Sequence, residues 1–111
     1  MEKSAEIIIN DEVYDYLQKL IHLLYKKDYF SFIKDAESYV ITIINKITNS
    51  LPKTTHRLTP LQLKKYGNFY IKLKGTRRTT WYAFFDKKDN RYYIEFITNN
   101  HSPKASFFNE L

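Results

Sequence analysis

The sequence predicts an α+β domain, an N-terminal helical hairpin packed on an antiparallel β-sheet, in the order β-α-α-β-β-β. Three observations predict it. Apolar residues recur at helical spacing from Val13 to Ile47; they alternate at strand spacing from Phe69 onward; and short polar links join the segments. A length of 111 residues holds one modest core, so 1–111 reads as a single domain.

Each element has its own signal. "AEIII" (5–9) reads as a short strand, expected at the sheet edge. Asn10 or Asp11 then caps a helix, with Glu12 in the first turn where the helix dipole favours an anion. Val13, Leu17, Leu20, Ile21 and Leu24 form its apolar stripe, and Lys26 and Lys27 suit its end. A second helix is expected from about Tyr29 to Asn49, on the stripe Phe32, Ala36, Tyr39, Ile43, Ile47. Its stretch "YVITIIN" is β-branched, but the neighbours keep helical spacing on both sides. The short link between the helices makes them an antiparallel pair.

"NSLPKTTHRLTP" (49–60), with two of the three prolines, reads as the loop between the helical and strand halves. Three strands are expected after it: "NFYIKLK" (68–74), "TTWYAFFD" (79–86) and "RYYIEFIT" (91–98). The links "GTRR" and "KKDN" are short enough to make these a meander. In the first of them Phe69, Ile71 and Leu73 share one face, and Tyr70, Lys72 and Lys74 the other. The tail "PKASFFNEL" reads as one helical turn or a short last strand.

Composition narrows the function. No cysteine is present, which excludes disulfides, zinc-thiolate sites and thiol nucleophiles. Three scattered histidines with no carboxylate cluster argue against a metal site, and no cofactor is expected. "MEKSAEIII" lacks the apolar stretch of a signal peptide, and no apolar run is long enough for a membrane span, so a cytoplasmic protein is expected. The net charge of +6 is unevenly spread: residues 1–51 hold six Lys against eight Asp and Glu, residues 52–111 twelve Lys and Arg against four. A basic half interleaved with aromatics points to a polyanion, above all nucleic acid.

"YIKLKGTRRTTWYAFFD", "YYIEFIT" and the terminal "NNHSPKASFF", in this element order and with this charge split, resemble the RelE/ParE superfamily of bacterial type II toxin–antitoxin toxins. The resemblance covers the whole chain as architecture and mainly 66–108 as residues. It implies one of two activities: a ribosome-dependent endoribonuclease that cuts mRNA, or a ParE-like inhibitor of DNA gyrase without nuclease chemistry. A toxin-fold protein without activity, acting as a binding module, is the third reading. In each case the resemblance implies an acidic antitoxin as partner, in a toxin–antitoxin hetero-oligomer or beside a homodimer.

Metal-independent RNA cleavage uses the 2′-OH as nucleophile, a group to move protons and cations around the phosphorane. His101, just past the 91–98 strand, is the candidate for proton transfer. Lys74 and Arg78 are its candidate catalytic cations; Lys72, Arg77 and Lys104 are further phosphate ligands. Asn99 and Asn100 are candidates to orient a phosphate or base edge, and Tyr82, Tyr93 and Phe108 to stack bases. In a meander, the link after Lys74 and the end of the 91–98 strand fall at the same end of the sheet. The resemblance implies a terminal His as general acid or base in some nucleases of the family, and in others an Arg with a later Tyr. Phe107-Phe108 stands at that later position, so the Tyr-dependent version does not fit. Each choice has a structural counterpart: His101 as a strand end, Lys72 and Lys74 as a solvated edge, Arg77-Arg78 as a polar turn, Trp81, Tyr82 and Tyr93 as packing. His22 reads as a helix-face residue and His56 as a loop residue within possible reach of RNA.

Overall fold

A computed structural model describes residues 5–27, 31–75 and 79–100. Its elements are β1 (Glu6–Ile9), α1 (Asp11–Lys26), α2 (Ile33–Ser50), β2 (Arg57–Leu58), a 3₁₀ segment (Leu61–Tyr66), β3 (Phe69–Lys74), β4 (Thr80–Lys88) and β5 (Arg91–Asn99). The two helices pack against a five-stranded mixed sheet in the order β1-β5-β4-β3-β2.

The passage from β1 into α1 turns on Asn10. Its N–H donates to the Ile94 carbonyl (3.1 Å), its Oδ1 accepts from the Glu12 N–H (2.7 Å), and its Nδ2 donates to Glu95 (3.0 Å). Asn10 is therefore the cap, satisfying one of the first-turn donors that a helix leaves unpaired. The same side chain ties the start of the helix to β5.

Helix α1 buries Val13, Leu17, Leu20 and Ile21, the expected stripe. Helix α2 buries Ala36, Val40, Ile43 and Ile47, and "YVITIIN" is helical. It begins at Ile33, with Phe32 as its cap residue; the Tyr29 start expected from the sequence lies outside the described residues.

Strands β3, β4 and β5 form the expected antiparallel meander. Strand β1 lies at the edge, as expected, but it runs parallel to β5, so the sheet is mixed rather than antiparallel. The reason is one of parity. If every link reverses the chain, strands separated by an even number of reversals run parallel. The stretch read as a plain loop contains β2, which pairs with β3 at Arg57↔Tyr70 and Leu58↔Phe69. That two-residue strand adds one reversal and flips the direction of everything after it relative to β1.

Both faces of the sheet carry apolar side chains. On one, Ile71, Trp81, Ala83, Phe85, Ile94 and Ile97 meet the helices. On the other, Leu63 of the 3₁₀ segment packs with Tyr70, Tyr82 and Phe84, with Tyr66 and Phe96 alongside. Covering from both sides explains why β4 is buried without a break from Trp81 to Phe85. Tyr66 stacks on Phe96 with centroids 4.2 Å apart. The pairing of β4 with β5 slips where Phe84↔Phe96 is followed by Phe85↔Ile94, leaving Glu95 as the extra residue of a bulge. Gly67 lies against the β4 backbone here, at φ 144°.

Candidate nucleic-acid interface

The 3₁₀ segment covers one end of the sheet face opposite the helices, and the candidate interface is the other end. Alternation along β3 sends Lys72 and Lys74 to this face, and both are exposed. Across the meander, Lys72 pairs with Tyr82 and Tyr82 with Thr98. One step further, Lys74 pairs with Thr80, and Thr80 bonds to Asn100. Neighbouring strands lie about 4.8 Å apart, so each row spans roughly 10 Å across three strands. Thr80, half-buried, was not among the residues expected from the sequence, though the same strand alternation would have found it; Thr98, only 4% exposed, is a buried member of its row.

Asn100 is engaged twice with Thr80. Its N–H donates to the Thr80 carbonyl (3.1 Å), and its Oδ1 accepts from the Thr80 N–H (2.9 Å). Asn99 belongs to the opposite face. It pairs with Trp81, which is buried under the helices, so the two neighbouring amides do not act together.

Tyr82 stands in the right row, but the residue is only 7% exposed, too buried to be a platform for a base. Its pKa is raised above the ordinary tyrosine value, first by burial and second by the Tyr70 phenol. The phenol thus stays protonated at neutral pH and is a hydroxyl group beside Lys72. Tyr93 is not brought to this end. It pairs with Asp86 and hydrogen-bonds Arg91, the first cause of the raised Arg91 pKa, ahead of Glu6. It lies six residue steps along the strand from Asn99, about 20 Å. His101, Arg77, Arg78, Lys104 and Phe108 lie outside the described residues.

The other two histidines serve elsewhere. His56 is half-buried, with Nε2 2.6 Å from the Leu51 carbonyl at the end of α2. A carbonyl only accepts, so Nε2 carries the proton. The ring meets Phe85 and Tyr92 edge-on at centroid distances of 5.0 and 5.6 Å. His56 is thus a cap for α2 rather than an RNA contact. His22 is exposed on α1, beside a groove of about 300 Å³ that also borders Tyr14, Ile33, Glu37 and Ile41.

Among the described residues no group of three or more His, Asp or Glu is placed to hold a metal ion. No described helix is long and apolar enough to cross a membrane. Residues 51–100 contribute nine described Lys and Arg against three Asp and Glu, so the sheet half is basic. Two exposed ammonium groups, with the half-buried Thr80 paired to Lys74, suit a phosphate. Comparison with protein-family models, with curated proteins and with solved structures gave no match.

Proposed function

We propose that the chain is a toxin of the RelE/ParE kind, acting as a metal-independent endoribonuclease on mRNA, with an acidic antitoxin as its protein partner. Lys72 and Lys74 hold the phosphate, together with Arg77, Arg78 and Lys104. His101 transfers the proton between the 2′-OH and the leaving 5′ oxygen. Tyr82 contributes its hydroxyl to the phosphate rather than its ring to a base.

The observation that carries this reading is the row Lys74, Thr80, Asn100 at one end of the sheet face opposite the helices. The exposed lysines stand two strands from the residue that immediately precedes His101. Fold supports the reading only in outline, because α+β sheets of this kind serve many functions.

The test is cleavage of mRNA by purified protein, with and without ribosomes. Cleavage is expected from the native protein and not from His101→Ala, whereas Lys72→Ala/Lys74→Ala weakens RNA binding. Growth arrest that persists undiminished in His101→Ala overturns the nuclease reading. Loss of gyrase supercoiling activity in its presence would assign it to the gyrase-directed class instead.

A further inference from the structure

Along β3, Tyr70, Lys72 and Lys74 are successive positions on the sheet face opposite the helices. The row that holds Tyr70 runs from Arg57 on β2 through Tyr70 and Phe84 to Phe96 on β5. Residues directly opposite in an antiparallel pair share a face. Arg57 therefore stands on this face too, as the diagonal neighbour of Lys72, about 7 to 8 Å away. Arg57, Lys72 and Lys74 thus form a line along the β2–β3 side of the sheet, and all three are exposed. The 3₁₀ segment roofs the Arg57 row: Leu63 packs with Tyr70 and Phe84, and Tyr66 stacks on Phe96. Lys64 and Lys65, on the same segment, are exposed. The Lys65 ammonium lies 5.2 Å from the centroid of the Tyr66 ring, a cation–π contact that holds it over the roof.

From residue 38 to residue 85 the chain holds nine Lys and Arg and no Asp or Glu. No described carboxylate forms an ion pair with Arg57, Lys64 or Lys65; the Glu6–Arg91 pair is at the opposite edge, on β1 and β5. In the row beyond Arg57, Asp86 Oδ1 accepts from the Asn68 main-chain N–H (2.9 Å) and from Asn68 Nδ2 (2.8 Å), and the cationic stretch ends there. A charge on Arg57 would serve to guard the β2 edge. That role gives no reason to gather Lys64 and Lys65 beside it, where like charges repel. A ligand with regularly spaced negative charges does.

We propose that Arg57, Lys64 and Lys65 are a second phosphate-binding subsite, where an RNA strand held at Lys72 and Lys74 continues toward β2 and the 3₁₀ segment. This rests on the assignment of Lys72 and Lys74 to phosphate above, and it is independent of which residue transfers the proton. The subsite binds the phosphodiester backbone and leaves base identity unread.

The test follows binding of a fluorescein-labelled single-stranded RNA of about twelve nucleotides to the full chain, by anisotropy over a range of salt. Arg57→Ala/Lys64→Ala/Lys65→Ala is expected to weaken binding about tenfold or more, and to reduce the slope of log affinity against log salt by about two, at about 0.7 for each phosphate. The control Lys19→Ala/Lys26→Ala/Lys46→Ala removes the same charge from exposed positions on the helices. It should stay within about twofold of native at roughly 0.15 M salt, where screening leaves a reach of only about 8 Å. If the first variant fails to fold, Arg57→Gln/Lys64→Gln/Lys65→Gln keeps the aliphatic stems and carries the same comparison. Native affinity and slope in that variant, with binding lost in Lys72→Ala/Lys74→Ala, overturn the second subsite and leave the phosphate role of Lys72 and Lys74 standing. An equal loss in the control overturns the subsite as well, because total charge would then account for the effect. Native binding in Lys72→Ala/Lys74→Ala overturns the reading on which the subsite rests.

Discussion

Only two glycines occur in the chain, and the structure gives Gly67 a task that no other residue can perform in place. Its φ of 144° is a region that side chains rarely enter, and an added Cβ would stand 2.7 Å from the Phe85 nitrogen. That neighbour is backbone at the β4–β5 bulge, so it cannot swing aside. Gly67→Ala is expected to cost about 3 kcal/mol or more in chemical denaturation. A loss below about 1 kcal/mol would show that the bulge yields. Tyr16 gives a second test at this scale. Burial raises its pKa, so its contribution is complete below the ordinary tyrosine value near 10 and is lost as pH rises through the folded value. Tyr16→Phe should therefore show a shallower fall in stability above about pH 10 than the native chain, measured by denaturant midpoint at each pH. Neither role was visible in the sequence. A glycine in "KYGNF" signals a turn, but its closest neighbour belongs to a strand 18 residues away, and local spacing carries no information about that.

At the scale of elements, the ends of the helices decide more than their middles. Asn10→Ala removes the α1 cap and the bond to Glu95 together and is expected to destabilise by about 1 to 2 kcal/mol. His56→Ala removes the donor at the end of α2 and a ring packed between Phe85 and Tyr92, for a loss of about 2 kcal/mol by thermal unfolding. A native-like melting temperature for His56→Ala would return that residue to the RNA-contact reading. The helices and the meander were legible because their signals are periodic and local: Val13 to Leu20, and Phe69 to Leu73. Strand β2 was not, because two residues, Arg57 and Leu58, have no period, and their strand character comes from pairing with β3. The 3₁₀ segment was missed for a similar reason. Leu63 and Tyr66 form no stripe, and only the packed side chains Tyr70, Phe84 and Phe96 reveal what they cover.

Across the whole molecule, charge and face divide the labour. The helices cover one side of the sheet, and the other presents the exposed Lys72 and Lys74 from a basic half. If these hold phosphates, log affinity for RNA should fall linearly with log salt, and removing either lysine should reduce the slope by about one. Equal slopes in the native protein and both variants would place the phosphates elsewhere. The alternation that put Lys72 and Lys74 on one face was readable in "IKLK". The same rule applied to "TNN" separates Asn99 from Asn100, and the pairings with Trp81 and Thr80 show that it does. What the rule could not supply was the hydrogen bond by which Asn100 ends the strand, since that depends on a residue twenty positions away.

The place of β1 has a consequence for biosynthesis. Its one neighbour among the described strands is β5, the last to be made, which lies between β1 and β4. While the chain is still emerging from the ribosome, the first strand has nothing to join. Closure of the sheet must wait until β5 has been made, and a product ending before Arg91 lacks the strand that unites both halves. The N-terminal strand thereby stays without its sheet partner until β5 has been synthesised.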